Sequence, residues 1–177
     1  MRLDSKYFTP FLAVTTVVTM AVILYATISY LNRQQEIVRE NVADLQTTQL
    51  VFERLEQEGE LSASEFTGQP LVVHFWATWS GRSEAVGDQL EEIRQSHPEL
   101  VVIAASVRDH PDLAVEWARS NQESFYWVEG TRLYQDLQIP GVPSQLLINR
   151  RGEVATLHVG DDAESLNREL ERLIGDE

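Results

Sequence analysis

Two short, almost uninterrupted apolar runs constrain this chain more than any other feature. Leu71 to Trp76 reads LVVHFW, and Leu100 to Val107 reads LVVIAASV. A strand with one face in water alternates apolar and polar residues, so runs like these belong to strands buried on both faces. Between them, a helix is expected from Ser80 or Gly81 to about Gln95. Val86, Leu90 and Ile93 form its inner face and the acids lie outside.

The flanking segments extend the pattern. Thr48 to Leu55 alternates as a strand, Gln57-Glu58-Gly59 turns it back toward Leu61, and Ser62-Ala63-Ser64-Glu65 has capping-box spacing. His110-Pro111 opens a helix with proline at its favoured first position, running to about Asn121. A short strand at Phe125 to Val128 and a short helix at Thr131 to Leu137 follow. Gln145 to Asn149 and Val154 to Val159, joined by Arg150-Arg151-Gly152, form an antiparallel hairpin. A last helix at Ala163 to Ile174 repeats Leu166, Leu170, Leu173 and Ile174. The expected fold is α/β: a mixed central sheet flanked by helices in a sandwich.

Ahead of this domain, nothing between Tyr7 and Asn32 carries a charge. The apolar stretch 11–31 is long enough, as a helix, to span a bilayer's hydrocarbon of about 30 Å. It reads as a single uncleaved transmembrane anchor, with Tyr7, Tyr25 and Tyr30 near its ends. Its threonines are tolerable there because a hydroxyl bonds back to the preceding turn. Arg2 and Lys6 on one side nearly balance Arg33 and Arg39 on the other, so charge leaves orientation open. The expected division is a flank at 1–10, the anchor at 11–31, a juxtamembrane helix or stalk at 32–47 and the folded domain at 48–177. Val38, Val42 and Leu45 make one apolar stripe on the stalk.

Composition closes off several function classes. The chain has 177 residues, a net charge of −14 and no cysteine. It therefore has no disulfide, no cysteine nucleophile and no thiolate metal site. The acid lies almost entirely beyond Asn32, and such a domain repels phosphate backbones, so no nucleic-acid partner is expected. His97, His110 and His158 are scattered without metal-ligand spacing and read as surface or loop residues. No metal and no cofactor is implied.

The segment Val73 to Ser83, VHFWATWSGRS, resembles the thioredoxin superfamily, most closely its membrane-anchored TlpA/ResA-like thiol-disulfide oxidoreductases. That branch carries Phe-Trp-Ala-Thr-Trp-Cys-x-x-Cys at this point. Phe75 to Trp79 match, whereas Ser80 and Ser83 stand in both cysteine positions. A second resemblance lies at Ile139 to Ser144, similar to the family's loop with a cis-proline facing the site. The likeness spans about Thr48 to Ile174. It implies a thioredoxin-like fold, an anchored domain outside the cytoplasm facing the periplasm or cell exterior, and a peptide-binding groove. Trp79, Gly81, Arg82, Val142 and Pro143 would line that groove, and His74 falls where the family places a buried acid.

Serine cannot take over the sulfur chemistry, because its alcohol stays protonated near neutrality and forms no disulfide equivalent. As written, the chain has no catalytic residue, and Ser80 and Ser83 read as helix caps. Arg82, near the helix start, is placed to hold an anionic group or to lie solvated. Val142 next to a cis-proline would leave backbone for an extended peptide to pair with. The leading reading is a membrane-anchored, redox-inactive binding, scaffold or chaperone-like module with a protein or peptide partner; its oligomeric state is open. Two alternatives stand beside it. One is an oxidoreductase represented by a cysteine-to-serine form. The other is a hydrolase pairing His74 with Ser80 or Ser83.

Overall fold

The computed structural model describes residues 5–43, 45–121 and 124–175, with side chains described for 11–29, 40–42, 45–121 and 124–175. Two compact units are present, Met1–Ile37 and Val38–Glu177. Residues 5–37 of the first belong to helix α1 (Ser5–Ala43), whose 19-residue apolar window Phe11–Ser29 is long and apolar enough to cross a membrane. Thr15, Thr16, Thr19 and Thr27 each bond a carbonyl of the preceding turn at 2.8–3.0 Å, so their hydroxyls are satisfied within the helix. The expected roles of Tyr7, Tyr30 and Val38 fall on side chains outside the described set.

The second unit is built on a five-stranded sheet. Its strands are β3 (Leu71–Trp76), β4 (Val101–Ser106), β5 (Tyr126–Glu129), β6 (Ser144–Ile148) and β7 (Val154–Val159), in spatial order β5-β4-β3-β6-β7. The β3–β4 and β4–β5 pairs are parallel, while β3–β6 and β6–β7 are antiparallel. The mixed sheet and the helices α2 (Ser83–Ser96), α3 (Pro111–Ser120), α4 (Thr131–Asp136) and α5 (Ala163–Gly175) give the expected α/β sandwich.

All six residues of β3 are buried, as are all six of β4, which is why both runs are continuously apolar. The two-residue period sorts them into two cores. Leu71, Val73 and Phe75 pack with Ile103, Val128, Leu146, Tyr134 and the entry hairpin residues Phe52 and Leu61. Val72 and Trp76 pack with Val86 and Leu90 of α2, Ala114 and Ala118 of α3, and Leu166, Leu170 and Leu173 of α5. Val42 and Leu45 of the expected stripe join the first core, so that part of the stripe is packing surface of the domain.

The entry segment departs from the expected strand. Thr47–Gln49 is a 3₁₀ turn, Val51–Glu53 (β1) pairs with Glu60–Ser62 (β2), and Arg54 makes an isolated bridge to Val128. The polar run satisfies itself locally, the Gln46 amide donating to Gln49 Oε1 at 3.0 Å. The capping box at Ser62 forms as expected, its amide donating to Glu65 Oε1 at 2.9 Å.

Gly130 sits between β5 and α4 because nothing larger fits. A Cβ there would lie 2.6 Å from the Ala105 Cβ and 3.2 Å from the Ala105 carbonyl carbon. Gly130→Ala should lose about 1–3 kcal/mol of stability in urea unfolding. Gly141→Ala, whose Cβ meets nothing within 4 Å, should stay within about 0.5 kcal/mol. Equal midpoints for the two variants would contradict the packing described.

Candidate functional site

The site forms where β3 ends and the chain must turn into α2. The helix starts at Ser83 rather than at Ser80 or Gly81. Ala77 to Arg82 instead forms two successive turns, closed by Ser80 N–H to Ala77 O at 3.0 Å and Ser83 N–H to Ser80 O at 2.9 Å. A distant carboxylate holds the first of these turns. Asp109 accepts from the Thr78 amide at 2.9 Å, from Thr78 Oγ1 at 2.6 Å and from Ser106 Oγ at 3.1 Å. With Thr78 held, Trp79 projects outward, 61% exposed.

Neither serine caps the helix. The buried Ser83 hydroxyl accepts from the Ala77 amide at 3.3 Å, and Ser80 Oγ donates to the Val142 carbonyl at 3.4 Å. Both therefore satisfy loop backbone, which corrects the capping assignment. The Ser80 contact also means that the Val142 carbonyl is not wholly free for a peptide. The Val142–Pro143 bond is cis. Val142 is partly buried against the first core, and the Gly160 amide donates to the Pro143 carbonyl at 3.0 Å. Arg82, its side chain largely exposed, pairs with Asp161 Oδ1 at 3.2 Å. Trp79, Ser80, Gly81, Arg82, Val142 and Pro143 are thus gathered where the start of α2 meets the loops before β6 and after β7.

His74 lies beneath this surface, 2% exposed. Its Nδ1 is 3.2 Å from Gln145 Nε2, and it also bonds the Ser83 main chain. Burial pushes its pKa down from 6.5 to about 4, against a smaller upward pull from the Ser83 contact. Because the amide of Gln145 can only donate, Nδ1 accepts and the ring is neutral with its proton on Nε2. Neither serine hydroxyl bonds the ring among the described hydrogen bonds. The adjoining cavity of about 10 Å³, lined by His74, Trp76, Ser83 and Trp117, holds at most one water. That geometry disfavours the serine hydrolase. Among the described residues, no three His, Asp or Glu side chains come together as a metal site.

Sequence reasoning missed three participants. Asp109 and Asp161 look like ordinary loop acids, and only folding brings them to the site. Gln145 left a fainter signal, a polar side chain inside an otherwise apolar strand. His158, expected at the surface, is 7% exposed with its Nδ1 3.2 Å from Glu169 Oε2 of α5.

The depressed His74 pKa carries a stability consequence. The unfolded chain takes up this proton near 6.5 and the folded chain only near 4, so stability is full above 6.5 and falls with pH between those values. Wild type should lose roughly 3 kcal/mol more than His74→Gln over that window in urea unfolding. Parallel pH profiles for the two proteins would contradict a buried neutral imidazole.

No protein-family model matches the chain. Among curated proteins, thiol:disulfide interchange protein DsbE of Vibrio cholerae is 31% identical over 114 residues, covering 62% of this chain and 61% of that protein. The mitochondrial thioredoxin of Mus musculus is 30% identical over 108 residues, covering 60% of this chain and 52% of that protein. The chain thus spans between about half and three fifths of the length of these relatives. Among solved structures, a secreted Mycobacterium tuberculosis disulfide oxidoreductase homologous to DsbE superposes with a TM-score of 0.61 at 14% identity, covering 72% of this chain and 98% of that one. StoA of Bacillus subtilis gives 0.53 at 20% identity, over 67% of this chain and 93% of that one. The chain therefore has the thioredoxin-like fold and DsbE-type thiol:disulfide interchange proteins among its homologues, and it has both without a single cysteine.

Proposed function

We propose that this is a membrane-anchored, redox-inactive thioredoxin-like domain that works by contact alone, holding an extended polypeptide across the face around Trp79. The observation that carries this reading is Trp79 itself. A large aromatic stands 61% exposed on a loop fixed by the Asp109 clamp on one side and by the Ser80–Val142 contact on the other. Exposed aromatics on fixed backbone are typical anchors of protein interfaces. The apolar window Phe11–Ser29 supports the anchor, and the likeness to DsbE-type proteins supports a domain on the outer side of the membrane.

A cysteine-to-serine form of an oxidoreductase would account for Ser80 and Ser83. It would not account for His74, a neutral imidazole where the resemblance puts an acid. This third departure lies at the same site and favours a chain whose chemistry has diverged.

The test places a photocrosslinking residue at position 141, where a side chain meets open space, in membranes carrying the full chain. An adduct with a polypeptide is expected in the membrane fraction. Trp79→Ala and Arg82→Glu should each reduce it severalfold while shifting the melting temperature by only a few degrees, since both side chains are largely exposed. An adduct unchanged in both variants would place binding elsewhere, and recovery of the chain in the soluble fraction would remove the anchor.

A further inference from the structure

One arginine beside the candidate site has no carboxylate of its own. Among the described ion pairs Arg82 meets Asp161 and Arg132 meets Asp136, but none includes Arg108, whose side chain is exposed. The acids around it are engaged. Asp109 holds Thr78 and Ser106, Glu129 Oε1 accepts from the Thr131 amide at 2.9 Å, and Asp112 lies 3.7 Å from His110.

The backbone at this position is also unusual. Arg108 has φ 53°, in the left-handed region that glycine or asparagine adopts with less strain. The other non-glycine residue with positive φ among those described, Gln138, follows the end of α4, where such a conformation is usual. No helix ends at Arg108. Its amide instead donates to Thr131 Oγ1 at 2.8 Å, a bond from a separate loop. Backbone geometry alone would favour glycine there, so what distinguishes the position is its side chain.

That side chain lies between the two walls of the face. On one side Asp109, the next residue, grips the Thr78 that precedes Trp79. On the other, the Arg108 guanidinium carbon sits 5.7 Å from the centre of the Tyr134 ring. The Tyr134 carbonyl in turn accepts from the Ile139 amide at 3.1 Å, where the chain enters the loop of Val142 and Pro143. Stacking over a ring occupies a guanidinium's flat face and leaves the N–H groups around its edge free to donate. Such a planar fork of donors takes a carboxylate in two charge-assisted hydrogen bonds, which a neutral amide cannot match.

We propose that Arg108 is a specificity-determining residue of the Trp79 face, pairing with a carboxylate carried by the bound segment, either an acidic side chain or a chain end. The proposal rests on the reading of that face as a polypeptide site. The chain's net charge of −14 sharpens the selection. Carboxylates placed elsewhere along the segment meet a surface of like sign, so the one that meets Arg108 fixes the register in which the segment lies.

The test titrates the full chain in nonionic detergent micelles with three capped pentapeptides, acetyl-Thr-Val-X-Val-Thr-amide, in which X is glutamate, glutamine or lysine. A fourth probe is the glutamine peptide with a free carboxyl terminus. Nitrogen-15 NMR follows the Trp79 indole and the Arg108 Nε. The glutamate peptide should bind about two- to fivefold more tightly than the capped glutamine peptide, the range of an exposed ion pair, and the lysine peptide more weakly than either. Arg108→Gln should abolish that preference while the Trp79 indole still responds, and Arg108→Lys should keep part of it. A preference for the free-acid peptide, lost in Arg108→Gln, assigns the carboxylate to a chain end. Equal affinities for all four peptides, or a glutamate preference that survives Arg108→Gln, would overturn the proposal and leave the face a polypeptide site. A Trp79 indole that none of the peptides moves would overturn both.

Discussion

Everything in the domain depends on β3 being closed in from every side. It pairs with β4 and β6 at its edges and packs into a separate core on each face, so none of its six residues reaches solvent. That position makes apolar residues obligatory and makes any polar atom there expensive unless it is satisfied. His74 is the polar exception in the strand. It stays neutral, faces Gln145 across the register, and reaches the Ser83 main chain just where β3 has given way to the turn before α2. The central strand thereby fixes both the fold and the floor of the candidate site.

The wall of that site is fixed without sulfur. Where a disulfide or thiolate would organise the start of the helix, here the Asp109 carboxylate gathers three hydrogen bonds and Ser83 Oγ takes the Ala77 amide. Hydrogen bonds to a charged carboxylate contribute more than neutral ones, and these close a loop whose ends lie 31 residues apart in sequence. The tryptophans complete the support: Trp76 stacks on Trp117 and meets Trp127 edge-on beneath the surface, leaving Trp79 outside. The face therefore has a defined shape although the chain holds no cysteine.

How much of this the sequence discloses follows from the range of the interactions. The apolar runs of β3 and β4, the proline opening α3, the Ser62 capping box and the leucine repeat of α5 are local or periodic, and each leaves its mark within a few residues. The fold was legible for that reason. The turns ahead of α2 were not, because the Asp109 that holds Thr78 comes from another loop. Burial of His158 was hidden as well: a histidine on the last strand looks solvent-facing until α5 lays Glu169 against it. The ion pair between Arg82 and Asp161 was likewise invisible, since its partners lie 79 positions apart.

The central claim is that a thioredoxin-like site is kept here as shape while thiol chemistry is absent. Insulin-disulfide reduction by the full chain tests it most directly, beside a cysteine-containing DsbE relative under the same conditions. The account predicts no turnover above the protein-free background at any concentration of the chain. Turnover that scales with the chain would contradict it, since no residue described here can carry the exchanged electrons.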